Sequence, residues 1–157
     1  MNATIEAKLN VLVGAIAGTQ PLASALKLAA KDAGAIARFG YALLDADEAE
    51  DAAACGRLAV ALDPKNADGW LVLGCALGRA GKDAEAILAY EQTTKLRPKH
   101  ARPFVDLAEL YLARLEYTRA AACLKSAMAL DPGAATTAGK RAQALAVKTL
   151  LTLAEAG

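Results

Sequence analysis

The side chains that could act as nucleophiles, general bases or metal ligands are few and widely spaced. The chain has one histidine, His100, and two serines, Ser24 and Ser126, neither of which lies in a nucleophile-elbow motif. Three cysteines have spacings that fit neither a metal site nor a redox motif: Cys55, Cys75 and Cys123. No glycine-rich phosphate loop is present in the sequence. We therefore predict a protein that is not an enzyme, with no catalytic residues, no metal and no cofactor.

Composition also narrows the class of partner. Hydrophobic residues make up 55% of the 157 residues but aromatic residues only 4%, which is typical of closely packed alanine-rich helices. The formal net charge of +1 does not favour a nucleic-acid partner. No apolar run approaches the roughly 20 residues that span a bilayer, so no membrane insertion is expected. Unpaired cysteines within apolar stretches indicate a reducing compartment, which predicts a cytoplasmic protein.

An internal repeat determines the expected fold. Prolines recur at one constant interval, the repeat period, each preceded in step by a leucine and, further upstream, by an alanine: Pro64, Pro98 and Pro132; Leu62, Leu96 and Leu130; Ala52, Ala86 and Ala120. In the central unit, Trp70, Leu73 and Leu77 line one face of a first helix, and Gly81 supplies the turn to a second helix. The period and residue pattern resemble the tetratricopeptide repeat (TPR), which implies stacked pairs of antiparallel helices.

The repeat phase sets the expected architecture. We predict an all-α TPR solenoid of three helix-turn-helix repeats with an N-terminal helical arm and a C-terminal capping helix. The boundaries are the arm at 1–32, repeats at 33–66, 67–100 and 101–134, and the capping helix at 135–157.

The arm has more than one interpretation. Ile5, Leu9, Leu12 and Ile16 lie on one side of a predicted amphipathic helix, and Pro21 fits the first turn of a second helix. The segment could cap the solenoid, cover its groove, or join two copies into a homodimer. The sequence leaves these alternatives open.

The first helix of each TPR unit lines the concave surface, which predicts where a partner binds. Helical phase and the repeat starts give the groove residues Ala37, Tyr41, Leu44, Leu71, Cys75, Gly78, Arg79, Arg102, Val105, Glu109 and Leu112. We expect a mostly apolar groove with arginines at its rim, suited to a protein or extended peptide with apolar anchors. Replacing Leu71 by Glu is expected to abolish client binding while leaving helicity intact.

The organisation of the chain also resembles the class II chaperones of bacterial type III secretion, which hold translocator proteins. The resemblance rests on the arm, three repeats and closing helix, on Leu73-Gly74-Cys75-Ala76, and on Arg102-Pro103-Phe104. It implies a cytosolic secretion chaperone that keeps a hydrophobic client segment in the groove until export. The alternative is a general TPR scaffold or adaptor in a multiprotein assembly. The sequence does not identify the client.

Overall fold

The computed structural model describes residues 28–155, and these residues form helices without strands. A single 3₁₀ turn, Ala30–Asp32, leads into seven α-helices. They are α1 (Ala33–Asp45), α2 (Ala49–Leu62), α3 (Ala67–Arg79), α4 (Asp83–Leu96), α5 (Ala101–Ala113), α6 (Tyr117–Leu130) and α7 (Thr137–Glu155). The helices pair in order as α1 with α2, α3 with α4 and α5 with α6, and α7 packs on both α5 and α6. The predicted fold class, an all-α TPR solenoid, is confirmed for this part of the chain, whereas the arm up to residue 27 lies outside it.

The turn inside each repeat uses the same backbone geometry. Asp47, Gly81 and Leu115, which follow one another at the repeat period, have positive φ angles of 62°, 69° and 60°. In the central repeat the Lys82 N–H donates to the Leu77 carbonyl at 2.9 Å, and the other two repeats contain the equivalent bond at 2.8 Å. This bond is the Schellman closure of a helix C-terminus, which needs one left-handed residue. Glycine adopts that conformation without strain, whereas leucine does so only at a cost.

The ends of the second helices explain the prolines and one unusual cap. Helices α2, α4 and α6 stop two residues before Pro64, Pro98 and Pro132, since the residue before a proline is pushed out of helical geometry. Asn66 then caps α3 by accepting a hydrogen bond from the Gly69 N–H at 2.8 Å. His100 holds the equivalent position before α5. The residue three positions after it is a proline without an N–H, so His100 cannot cap in the same way.

Small residues allow the helices of neighbouring repeats to approach closely. A β-carbon built on Gly56 of α2 would lie 2.8 Å from both Cβ and the backbone N of Leu73 on α3. Inside the central repeat, a β-carbon on Gly74 would lie 2.8 Å from the Tyr90 ring. The main core runs through these contacts and includes Leu71, which is fully enclosed. Glycine is thus required at these positions by packing and not by backbone conformation.

The closing helix covers the last repeat on one side only. Ala142 of α7 is completely buried against Val105 and Leu124, which forms a second cluster at this end of the solenoid. Helix α7 also exposes four large apolar residues: Val147, Leu150, Leu151 and Leu153. Within residues 28–155, no helix is both long enough and apolar enough to cross a membrane.

Candidate functional site

A cavity of about 360 Å³ opens between the second repeat, the third repeat and α7. Helix α3 contributes Cys75, Gly78 and Arg79 to its wall, α4 contributes Tyr90, α5 contributes Arg102, Asp106, Glu109 and Leu110, and α7 contributes Arg141. The first helices of adjacent repeats lie side by side, so residues at equivalent phases face the same space. The cavity therefore lies beside the first helices of the second and third repeats.

Charged groups dominate this cavity, in contrast to the mostly apolar groove that we expected. Arg141 Nη2 lies 2.7 Å from both carboxylate oxygens of Glu109 and 3.1 Å from Asp106 Oδ1. Arg102 Nε lies 3.5 Å from Asp106 Oδ2. Arg79 donates to the backbone carbonyl of Leu44 and completes a set of three arginines and two carboxylates. The site can thus offer hydrogen-bond donors and acceptors to the same ligand.

Asp106 is the most unusual member of the set. It is only 8% exposed, and its Oδ2 atom is buried without a hydrogen-bond partner among the described residues. Burial raises the pKa of Asp106, although Arg141 and Arg102 oppose that shift. The Oδ2 atom has only the ion pair with Arg102 Nε at 3.5 Å, which falls short of hydrogen-bond geometry. Asp106 is thus a buried carboxylate that two arginines hold in the wall of the cavity.

The floor of the cavity holds Cys75 and Tyr90. Arg102 Nη2 donates to the Cys75 sulfur at 3.3 Å. Burial raises the pKa of the Cys75 thiol, so this cysteine is a neutral thiol and not a reactive thiolate. Burial likewise raises the pKa of Tyr90. These groups provide a neutral floor, and within residues 28–155 no cluster of three or more His, Cys, Asp or Glu side chains is arranged to hold a metal ion.

A second cavity, of about 370 Å³, continues from the first and is mainly apolar. Glu109 borders both cavities, and Leu112 and Leu145 form much of the apolar wall of the second one. Leu112 is half-buried and therefore offers apolar surface to a partner. The two cavities together make one surface with a charged half and an apolar half.

The predicted groove residues differ in where the structure places them. Five border the charged cavity: Cys75, Gly78, Arg79, Arg102 and Glu109. Leu112 borders the apolar cavity, and Tyr41 is half-buried against the main core. Four others are at most 4% exposed and belong to the core that supports the groove: Ala37, Leu44, Leu71 and Val105. Their side chains fill the contacts between helices, so they cannot reach a client directly. The expected effect of Leu71→Glu is corrected accordingly, because a charge at this 2% exposed position disrupts the core.

Sequence reasoning missed Asp106, Tyr90, Leu110 and Arg141. Asp106 had a usable signal, since the residue one repeat period earlier is Val72, which is completely buried. A carboxylate at a position where the preceding repeat has an apolar residue departs from the repeat pattern and therefore marks a candidate site residue. Arg141 had no such signal because α7 lies outside the repeats, and only the fold brings it to Glu109.

Sequence comparison identifies the repeat directly. The profile of the tetratricopeptide repeat matches residues 67–100, the central unit. No curated protein sequence matches the chain significantly.

Several known structures share the fold. The chain is similar to PcrH of Pseudomonas aeruginosa in complex with the chaperone-binding region of PopB, with 22% identity over 73% of this chain and 94% of that chain and a TM-score of 0.67. It is similar to the type III secretion translocator chaperone SycD of Yersinia enterocolitica, with 21% identity over 76% and 95% and a TM-score of 0.65. The TPR2B domain of yeast Sti1 in a pHsp70 complex gives 19% identity over 78% and 98%, with a TM-score of 0.71.

The match to a chain of the CopN-Scc3 complex covers 69% of this chain and 64% of that chain. All of these sequence identities are low, so the structural similarities establish the fold alone. Residues 67–100 are therefore a tetratricopeptide repeat, and the helix pairs on either side of them continue the same TPR solenoid.

Proposed function

We propose that this chain binds a segment of another protein in the concave surface formed by α3, α5 and α7. The observation that carries the proposal is Asp106, a buried carboxylate that replaces an apolar repeat residue in the wall of an open cavity. Aspartate is rarely buried unless it is paired, and a buried carboxylate with a perturbed pKa in a cleft is a candidate for a functional site. A partner that binds the charged network around Asp106 explains why the chain keeps this residue at an apolar repeat position.

The mixed charge of the cavity fits the backbone of an extended segment. An extended chain carries unpaired N–H donors and C=O acceptors that a binding surface must satisfy. Glu109 accepts from a client N–H, and the half-exposed guanidinium groups of Arg79 and Arg102 donate to client carbonyls. Leu112 and Leu145 then receive an apolar side chain of the same segment in the neighbouring cavity.

Within this general function, the chaperone role is the more specific proposal. One similar structure is the type III secretion translocator chaperone SycD, and another is PcrH bound to the chaperone-binding region of PopB. The described solenoid has the three repeats and closing helix on which the sequence resemblance rests. In this role the protein acts in the cytoplasm, where it keeps an apolar segment of an export client from aggregating. Binding energy comes from the apolar anchor, while the charged cavity fixes the register of the client backbone.

A second candidate function is a scaffold in a multiprotein assembly. It is favoured by the outer face of α7, where Leu150 and Leu151 are 68% and 60% exposed. A scaffold that binds a folded partner there would not need the charged cavity. The two candidates therefore differ in which surface a partner requires.

Affinity capture from the source cell with matched variants tests the proposal. The full chain is used as bait in three forms: unchanged, with Arg102→Glu in the cavity, and with Leu88→Asp on the outer surface of α4. Leu88 is 62% exposed and borders neither cavity, so it controls for a general change in surface charge. Circular dichroism of each form establishes that the helices are intact.

The outcomes separate the candidates. We expect one dominant protein with apolar segments to be captured by the unchanged chain and by Leu88→Asp, and to be lost with Arg102→Glu. Equal capture by all three forms would contradict the groove proposal. If capture is then lost on Leu151→Asp, the scaffold function is the correct one.

A further inference from the structure

Helix α1 exposes a stripe that its counterpart in the next repeat buries. Ala35, Arg38, Phe39 and Ala42 follow the i, i+3, i+4, i+7 spacing of one helix face, and all four are exposed. The equivalent residues of the next repeat are all buried: Gly69, Val72, Leu73 and Ala76. The difference is largest at Phe39, which is 61% exposed, whereas Leu73 is 7% exposed and Leu107, one repeat further, is 3% exposed.

The second helix of the preceding repeat accounts for this difference. Helix α2 covers the stripe of α3, where Gly56 lies directly against Leu73. Helix α4 packs on α5 in the same way. Helix α1 has no such neighbour among the described residues, and Phe39 is 61% exposed at a position that the repeat architecture covers with a helix.

The sequence upstream of α1 carries the residue pattern of α2. Leu28 and Ala25 lie one repeat period before Leu62 and Ala59, which are a partly buried and a fully buried residue of α2. Leu22 lies one repeat period before Gly56, the residue that contacts Leu73. The repeat phase thus continues through residues 21–28, immediately before the point where α1 begins.

The connection between the two segments has the required length. Helix α2 ends at Leu62 and α3 begins at Ala67, and the same step along the chain separates Leu28 from the start of α1 at Ala33. A segment with this spacing and apolar pattern can fold back on α1 as α2 folds back from α3.

We propose that residues 21–28 of the same chain cover the exposed stripe of α1, with Leu22 against Phe39. The segment then acts as a partial additional repeat that caps the first end of the solenoid. This assignment is independent of the function proposed for the groove. Of the three roles open to the arm, the assignment selects the cap, because a segment packed in this way lies on the end of the solenoid.

Disulfide cross-linking in the full chain tests this placement. Cys55, Cys75 and Cys123 are replaced by Ala, and Leu22→Cys and Phe39→Cys are introduced together. A β-carbon at Gly56 would lie 2.8 Å from that of Leu73, closer than two side chains allow. The larger Leu22 and Phe39 therefore hold their β-carbons further apart, and the proposed packing brings that pair near the roughly 4 Å that a disulfide requires. The control pair combines Leu22→Cys with Leu115→Cys, an exposed position two repeats away.

We expect mild oxidation to give a cross-link within one chain for the first pair and none for the control pair. A non-reducing gel and intact-mass measurement distinguish this product from a dimer. A cross-link between two chains would overturn the proposal and identify a second copy as the occupant of the stripe. Absence of any cross-link, or equal cross-linking of both pairs, would also overturn it.

A second measurement does not depend on engineered cysteines. Phe39→Asp and Leu88→Asp alter two side chains of matched exposure, 61% and 62% in the described structure. If Phe39 is covered by residues 21–28, we expect Phe39→Asp to lower the thermal midpoint by about 5 °C and Leu88→Asp to leave it unchanged. Equal midpoints for the two variants would contradict the proposed cover.

Discussion

The two junctions between repeats use the same helix phases with different residues. At the first junction, Gly56 brings α2 into direct contact with Leu73 of α3, and Val72 of α3 is completely buried against Gly40 of α1. At the second junction, one repeat period later, Tyr90 and Asp106 hold the same positions and border the 360 Å³ cavity. The closed junction and the junction that borders the cavity thus differ at few positions. Departures from the repeat pattern, and not the pattern itself, therefore mark the candidate site.

The largest effect should come from adding one methyl group to the closed junction. Gly56→Ala places a β-carbon 2.8 Å from the backbone of Leu73, so the helices must separate. We expect the free energy of unfolding to fall by about 1–3 kcal/mol, as measured by urea denaturation.

Gly78→Ala is the matched control for that substitution. Gly78 lies on α3 beside the open cavity, and the nearest atom to an added β-carbon is 4.0 Å away. Alanine is the better helix former, so this variant should gain up to about 1 kcal/mol. If both variants lose stability equally, the two junctions do not differ in packing as described.

Making the open junction resemble the closed one should stabilise the protein and impair its function. Asp106→Val removes a buried carboxylate, and Arg102 and Arg141 remain partly exposed to solvent. We expect the free energy of unfolding to rise by about 1 kcal/mol at pH 7, because replacing buried charge by an apolar group is often stabilising. Capture of the client should be lost in parallel. The isosteric Asp106→Asn separates the loss of charge from the change of shape.

The pH dependence of this gain follows from the pKa of Asp106. Burial raises that pKa in the folded protein, so the folded state holds the proton more tightly than the unfolded chain does. Stability contributed by the protonated form is present at acid pH and lost as the pH rises through the folded pKa. The advantage of Asp106→Val should therefore shrink as the pH is lowered from 7. A gain that is constant with pH would show that the carboxylate is not its cause.

The smallest effect concerns the turns, which are alike in geometry but not in residue type. Leu115 has a φ of 60° and is 69% exposed, whereas the equivalent residue of the central repeat is Gly81. Leu115→Gly should relieve backbone strain and raise the thermal midpoint, with a gain of about 0.5–1 kcal/mol. Leu115→Ala keeps a β-carbon at the same φ and should show no such gain. Equal midpoints for the glycine and alanine variants would exclude strain at this turn.

Much of the fold could be predicted from the sequence because the same physical requirement recurs in every repeat. Proline cannot continue a helix, so the helix before Pro98 ends at Leu96, and the turn at Gly81 needs a left-handed residue. The turns at Asp47 and Leu115 have that same conformation without glycine, since the hydrogen bonds that close the helices impose it. Local conformational preference and repeat geometry agree for most of the chain, so the fold can be predicted from the sequence.

The candidate site was predicted less well, for two physical reasons. Helical phase alone does not say how deeply a residue lies, so Val105 was assigned to the groove although neighbouring helices enclose it completely. Phase also says nothing about contacts made by a helix outside the repeats, and Arg141 reaches Glu109 across 32 residues of sequence. Burial and long-range pairing depend on how repeats stack, which one sequence does not display.

Site-specific photo-crosslinking in the source cell tests the central claim most directly. A photoreactive amino acid is placed at Gly78, which borders the charged cavity, or at Leu88, which lies on the outer surface of α4. The proposed function predicts an adduct with a client protein from Gly78 and none from Leu88, and the Gly78 adduct should disappear when Arg102→Glu is added. An adduct from Leu88 alone would contradict binding in the groove.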